Sequence, residues 1–518
     1  MCPGQCVFPA STRLGARSVD CLAVAERWWP GHGPASRQKR LCRRWRAPQP
    51  PHPPRPRPAR LSRRHAARFR APLVRRGFVP GRRASGRARC GARGGSGRPI
   101  TRARRCPLSA DTLDTTDTTD TADTTGAAPA VTFTTVGPRR RAARLAAALR
   151  RAAPALGLFA AARLTGVLVL CLWAEHVGRS PHQLLTRSWD SVWYTRIAAN
   201  GYGHTLHFTD GAVHSDLAFF PLYPGLVRAV TTVLPLGGDT AALLVSWVAA
   251  AAAALGVFLL GERLHGRTTA VVLVLLWGLL PHSVVLSLAY TEPLLTAFAA
   301  FSLYAVLTGR WLWAGSLAAL AGLSRPNGVA IAAAVCVAAV YELWKRRAHA
   351  PWRLWAAAVV APLGWGGYVL WVGVRTGDPL RGYFAVQGGW RSRFDFGADN
   401  VLNVRDIALR PTELASPMTA LIVATALVLF ALLVVDRENR PPLPVLVYTG
   451  VLLLIAVGGG GFFESKPRFL LPAFPLLLPL ACALTKARPR AAIVLIAALA
   501  GLSCCYGTYL LALAPMPL

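Results

Sequence analysis

Asp190 sits within Ser188-Trp189-Asp190-Ser191-Val192-Trp193-Tyr194, a single carboxylate among indole, phenol and hydroxyl groups. Trp193 and Tyr194 follow Trp189 and Asp190 by one helical turn, so a helix here would keep acid and rings on one side. Rings stack on the apolar faces of sugars and a carboxylate accepts a hydroxyl proton, which suits a sugar-handling site. The same residues suit an interfacial aromatic belt with an acid capping a short helix. Residue types alone leave both readings open.

Four further groups carry charge or rigid aromatic surface. Ala218-Phe219-Phe220-Pro221-Leu222-Tyr223-Pro224 is poor in backbone donors and reads as an aromatic ledge at the membrane edge or as a proline-kinked helix. Glu292, before Pro293, stands where a helix would start, a position that favours an acid. Arg325 and Asn327 flank Pro326 near another helix start and form a candidate anion site. Lys466 and Arg468, beside Glu464 and after the glycines at 458–461, form a second candidate phosphate grip. The segment 375–416, with Arg375, Arg381, Arg391, Arg393 and Arg405 among Asp378, Asp395, Asp399 and Asp406, reads as a solvated cap without a catalytic role. Walker A, GxGxxG, HExxH and GxSxG patterns are missing, so nucleotide-driven transport and the common hydrolases have no support.

These residues have to be held by membrane helices. Mean hydropathy is +0.37, and apolar runs of about 20 residues recur from residue 153 onward without a period of two, which describes an all-α polytopic membrane protein and excludes a β-barrel. Spans are expected near 153–174, 240–260, 269–288, 291–308, 311–323, 328–344, 354–374, 417–435, 442–460, 468–485 and 491–513, about eleven in all (10–13). The basic flank Arg139–Arg151 keeps the N-terminus cytoplasmic, and the first apolar segment begins too late for a signal peptide. Leu217–Leu236 is apolar but interrupted by prolines and Arg228. If it does not cross, the basic connections at 262–267, 310, 345–353, 436–440 and 486–490 all fall inside, as the positive-inside rule requires. It is therefore read as an interfacial or re-entrant part of a long first external loop, 175–239. Every connection with candidate chemistry then shares the extracytoplasmic face. The short run 311–323 is the weak point, because it would disturb this parity if it dipped with 328–344 as a broken helix.

The net charge of +36 is mostly a property of the tail: residues 1–105 contain 27 Lys and Arg against Asp20 and Glu26. This Arg/Pro/Gly-rich stretch lacks periodicity and reads as disordered, either a basic arm or a start assigned too far upstream. No nucleic-acid partner is inferred. Residues 106–151 form a linker in which Asp111, Asp114, Asp117, Asp120 and Asp123 alternate with threonines, without the glycine and glutamate of a calcium loop. The membrane domain is 152–518. The cysteines lack the paired spacing of a zinc site, and no disulfide framework or metal site is assigned.

The ordered motifs SWDSVWYTRIAANGY (188–202), AFFPLYP (218–224), AYTEPLLTAFAAFSLYAV (289–306), SRPNG (324–328) and ESKPRFLLPAFPLL (464–477) resemble the PIG-V type of mannosyltransferase, the family of the enzyme that adds the second mannose in GPI-anchor assembly, in its actinobacterial branch, over about residues 155–515. The resemblance implies a GT-C glycosyltransferase that takes its sugar from polyprenyl phosphate and has an essential acid in the first external loop. That acid maps onto Asp190. A second acid nearby is also implied, with Asp216 or Asp210 as candidates. The resulting expectation is inverting transfer of a hexose, mannose first, to a glycan, glycolipid or protein acceptor. Asp190 acts as base and Arg325 with Lys466 or Arg468 holds the phosphate. Trp189, Trp193, Tyr194, Asp216, Tyr223, Glu292 and Asn327 complete the substrate contacts, and no cofactor beyond the lipid-linked donor is expected. A flippase or transporter of lipid-linked sugars is the competing class, and a non-catalytic scaffold the third. Topology is directly testable: Gly203→Cys and Gly237→Cys should both react with an impermeant thiol reagent from outside. Labelling of 203 with protection of 237 would mean that the segment between them crosses.

Overall fold

The computed structural model describes residues 138–209, 211–346 and 351–514. The basic tail, the Asp/Thr run and Asp210 lie outside these. The described part begins with a long helix α1 (Pro138–His176), followed by a first long connection holding α2 (Pro181–Thr186), α3 (Asp190–Asn200), the hairpin β1 (Thr205–His207) and β2 (Val213–Ser215), and α4 (Leu222–Val233). Next come α5 (Gly238–Gly278), α6 (Glu292–Leu307), α7 (Trp311–Ser324), α8 (Val329–Arg346) and α9 (Trp352–Arg375). A second long connection carries α10 (Gly382–Gly389), β3 (Arg393–Phe394) and α11 (Ala398–Leu409). The chain finishes with α12 (Ala415–Val435), α13 (Leu443–Gly458), β4 (Gly459–Gly460), α14 (Lys466–Leu470), α15 (Leu478–Lys486) and α16 (Pro489–Ala512).

Among the described residues six helical stretches are long and apolar enough to cross a membrane, a bent pair (Phe463–Leu470 with Phe474–Lys486, 78°) makes a seventh, and α6, α7 and α13 are shorter apolar helices. The helical membrane class is as expected, and the details differ at three places. First, the 41 residues of α5 would extend about 62 Å as one rod, twice the hydrocarbon thickness. Helical geometry fails at His265 and at Gly266, where φ is +80°. A Cβ on Gly261 would lie 3.2 Å from the Cα of Ala270, so the chain doubles back and α5 is two antiparallel limbs. Second, the returning limb stops at Gly278 rather than 288. Pro281 lacks the N–H that would continue the helix, and a 3₁₀ turn follows at Ser283–Ser287. Third, the last-but-one span is bent where Pro472 and Pro475 interrupt it.

The uncertain segment resolves simply. α4 has 12 residues, about 18 Å, too short to cross, and Arg228 Nη1 donates to the carbonyls of Ala198 and Ala199 at the end of α3 (3.1 and 2.9 Å). The run 311–324 forms a hairpin with α6: the Ser302 hydroxyl donates to Ala314 O at 2.8 Å, and Arg325 returns to the level of Glu292. It thus runs the length of α6 instead of dipping with α8.

Small residues set the tightest helix pair. Gly315 and Gly322 of α7 lie against the backbone of α9 at Ala357 and Trp365, and Gly364 of α9 occupies space that any Cβ would share with Ala319 O. In lipid, where burial of apolar surface gives no drive between helices, such close approach is what association relies on. The second long connection is fastened to the chain after α13 by pairing of β3 with β4 (Arg393 opposite Gly460, Phe394 opposite Gly459). Asp395 secures this strap. Desolvation pushes its carboxyl up, but the N–H groups of Asp399 and Gly397 and the charge of Lys466 together outweigh it and hold the carboxyl below its ordinary range.

Gly364→Leu should separate α7 from α9 at a cost of about 3 kcal/mol or more. Gly367→Leu, on the exposed flank with nothing within 4 Å, should be close to neutral. Thermal unfolding of the two variants in detergent checks the difference.

Candidate active site

The first connection reaches the site through α3. Asp190 is its first helical residue, preceded by Trp189 with φ of +48°, and Arg187 pairs with Asp239 at 2.6 Å to close the loop at the base of α5. The second contributor is the extended stretch before α6, anchored by Tyr290 O accepting from the Ser246 hydroxyl (2.8 Å), so that Thr291 and Glu292 point inward. The third is the break between α7 and α8, where Arg325 is extended and Pro326 starts a 3₁₀ turn. The fourth is α14.

These four connections converge on one cluster of charge. Arg468 Nη1 is 2.8 Å from Asp190 Oδ2, and Arg468 Nε is 3.9 Å from Glu292 Oε1. Arg325 Nη1 is 2.8 Å from the same Glu292 oxygen and donates to Thr291 Oγ1 at 3.0 Å. Both guanidiniums lie over the Phe469 ring, Arg325 at 5.5 Å and Arg468 at 5.3 Å. Glu292 is fully buried, and Arg325 and Arg468 nearly so, whereas the Asp190 side chain keeps 18% exposure. The pairs are close without being aligned: Arg468 Nε and Nη1 and both Glu292 oxygens have no hydrogen-bond partner. The cluster therefore balances two positive against two negative charges and retains directional hydrogen-bonding capacity.

The other sequence candidates fall around this core in different roles. Tyr194 is buried, with its hydroxyl 3.2 Å from Thr291 Oγ1. Trp193 stacks on Phe219 (5.5 Å) and meets Trp390 edge-on (5.0 Å). Trp189 is 43% exposed. Tyr223 is buried and bonds Ala242 O and the Ser246 hydroxyl, both at 2.7 Å. Asp216 accepts from the N–H groups of Gly203 and His204 (2.9 and 2.8 Å), which fixes the start of the hairpin, while its other oxygen has no partner. Asn327 is buried in the turn after Arg325. Lys466 and Arg468 are not brought together as a clamp. Lys466 Nζ donates to Gly459 O on the strap side, and Arg468 alone reaches Asp190.

Two contributors were missed. The second connection was read as a solvated cap, yet the Trp390 indole donates to Ser215 O (3.0 Å) and stacks on His214 at 3.9 Å, and Gln387 donates to Ala218 O (3.2 Å). It thereby braces the first connection from above. Beside the charge cluster lies a cavity of about 260 Å³, lined by the turn after α5 (Leu279, His282), α12 (Met418, Leu421) and the bent span (Pro467, Leu470) among others. Its wall is apolar and mostly aliphatic, His282 and Thr425 being its polar side chains, and both ring nitrogens of buried His282 have no hydrogen-bond partner. Pro467 is covalently between Lys466 and Arg468, so the cavity opens next to the cations. In hindsight the prolines at 467, 472 and 475 signalled a broken span able to leave such a space.

Residues 171–357 match the family model described as mannosyltransferase (PIG-V). The match bears out the resemblance read from the motifs and takes in Asp190, Glu292, Arg325 and Asn327, while Lys466 and Arg468 lie beyond it. No curated protein matches the sequence. Among solved structures the chain is similar to the oligosaccharyltransferase of Archaeoglobus fulgidus in its apo form (14% identity, TM-score 0.40, covering 68% of this chain and 55% of that one). It is similar also to ArnT from Cupriavidus metallidurans bound to undecaprenyl phosphate (17% identity, TM-score 0.42, covering 66% and 63%). The chain thus spans between half and two thirds of the length of these two, a likeness too distant to identify an activity.

Glu292→Gln should leave two guanidiniums facing each other with only Asp190 to offset them. Removing one partner of a buried pair costs about 3–5 kcal/mol. The combined Glu292→Leu, Arg325→Met variant, which removes one charge of each sign, should recover most of that loss in thermal unfolding.

Proposed function

We propose that the protein is an integral membrane glycosyltransferase that moves a hexose, mannose first among candidates, from polyprenyl phosphate to an acceptor hydroxyl at the extracytoplasmic face, with inversion. The observation that carries this reading is the Asp190–Arg468 pair, 2.8 Å apart, beside an aliphatic cavity. The mannosyltransferase (PIG-V) match over Asp190, Glu292 and Arg325 supports the same chemistry.

In this mechanism the isoprenoid chain occupies the aliphatic cavity and its phosphate meets Arg468. An incoming phosphodiester competes with Asp190 for the guanidinium, so donor binding frees the carboxylate that must act as base. The acceptor hydroxyl gives its proton to Asp190 as its oxygen attacks the anomeric carbon from the side opposite the phosphate. The carbon–oxygen bond to phosphate breaks, and polyprenyl phosphate departs with its added negative charge. Arg468 and Arg325, buried against Phe469, are positioned where that charge develops, in surroundings of low dielectric that strengthen their effect. No nucleotide is needed, since the lipid phosphate is itself the leaving group. Glu292 holds the two cations in place, and Trp193, one helical turn on from Asp190 in α3, is the aromatic surface for a sugar.

Asp190→Asn should reduce transfer of labelled mannose from polyprenyl-phosphate mannose by about 10²- to 10⁴-fold, the contribution of a positioned base. Its thermal unfolding temperature should fall by less than that of Glu292→Gln, because Asp190 is the one partly exposed member of the cluster and Glu292 still offsets Arg468. Wild-type turnover by this variant would remove Asp190 from the mechanism. Translocation of lipid-linked sugar in liposomes with no glycosylated product would instead indicate a transporter.

A further inference from the structure

Helix α11 (Ala398–Leu409) is inside out for a helix bathed in water. At 100° per residue Val401, Leu402, Val404, Ala408 and Leu409 share one arc with Arg405, and all are exposed, Val401 at 71% and Leu409 at 72%. The opposite arc, which faces the protein, is polar but for Ile407. Asn400 Nδ2 donates to Val457 O at the end of α13, Asp399 Oδ2 accepts from Gly461 N–H (3.2 Å), and Asn403 and Asp406 lie on the same side. No residue of the helix is buried. Phe396, 90% exposed, and Phe394 extend the apolar surface before the helix.

We propose that the outward face of α11 lies in the acyl-chain boundary of the bilayer leaflet on the site's side, making the second long connection a membrane-moored cap. The occupant follows from continuity. From Leu409 the chain crosses Arg410, Pro411, Thr412 and Glu413 to exposed Leu414 and enters α12, a 21-residue apolar span whose flank of Val428, Leu432 and Val435 is exposed and therefore faces lipid. A polar partner protein would leave Val401, Val404 and Leu409 unmatched, whereas an acyl-chain boundary matches them and leaves exposed Arg405 and Arg410 at headgroup level. The mooring bears on the site. The polar face of α11 grips residues 457–461, and that strap leads within a few residues to Lys466 and Arg468. This proposal does not depend on the glycosyl-transfer reading.

The test places an environment-sensitive fluorescent amino acid at position 401, and separately at 409, in the full chain by stop-codon suppression. Thr209, exposed at the tip of the β1–β2 hairpin, is the water-facing control. The proteins are reconstituted in phosphatidylcholine nanodiscs and compared only where thermal unfolding matches the parent. Lipids brominated near the headgroup end of the chain should quench 401 and 409 roughly twofold or more, as expected for a helix lying about 5–10 Å into the boundary. Aqueous iodide should quench 209 and barely affect the other two. Quenching of 401 and 409 by iodide to the same degree as 209 would overturn the proposal. So would protection from both quenchers, which would mean that protein covers the face.

Discussion

Two guanidiniums buried over one phenyl ring impose the constraint from which the arrangement of the helices follows. Arg325 and Arg468 are almost without solvent, so carboxylates must reach them, and Glu292 and Asp190 do. Each of the four comes from a different break between helices. All four breaks must then stand at one level, which forces α6 and α7 to be antiparallel, α8 to leave from the same end, and the bent span to present α14 there. An uncompensated charge at this depth costs several kcal/mol, comparable to a large part of a protein's net stability. The cluster therefore specifies the packing as much as it depends on it.

Much of this was legible in the sequence, for a definite reason. In a chain of Leu, Ala and Val, a charged residue beside a proline marks the end of a span. Glu292, Arg325 and Arg468 stood out on that ground and Asp190 by its aromatic neighbours, and the count of basic connections put them on one face. Their direct contacts bear out the shared face whichever side of the membrane it is. The doubling back of α5 and the short, non-crossing α4 followed from the same logic of charge and length.

What stayed hidden were side-chain directions and long-range contacts. Lys466 and Arg468 are two residues apart, which looks like a pair in the sequence. On the turn Lys466–Leu470 two residues are about 200° apart, so the two cations diverge, one to the strap and one to Asp190. Asp216 and Tyr223 looked like substrate contacts because their backbone partners, Gly203, His204 and Ala242, show no signal as residue types. The bracing of the first connection by Trp390 spans 175 residues of sequence and has no local pattern at all.

The bend in the span that bears Arg468 has a mechanical meaning. A straight helix would tie the depth of that cation to the position of its other end, and any change in bilayer thickness would reach it through a rigid rod. The 78° break after Leu470 interrupts the rod. The height of Arg468 is set instead by its neighbours on the near side, the strap at 459–461, Phe469 and Asp190. The lower limb, buried from Phe474 to Leu478 and again at Ala481, Cys482 and Leu484, is held by its own packing against the other helices. Geometry at the charge cluster is thereby insulated from the thickness of the membrane in which it works.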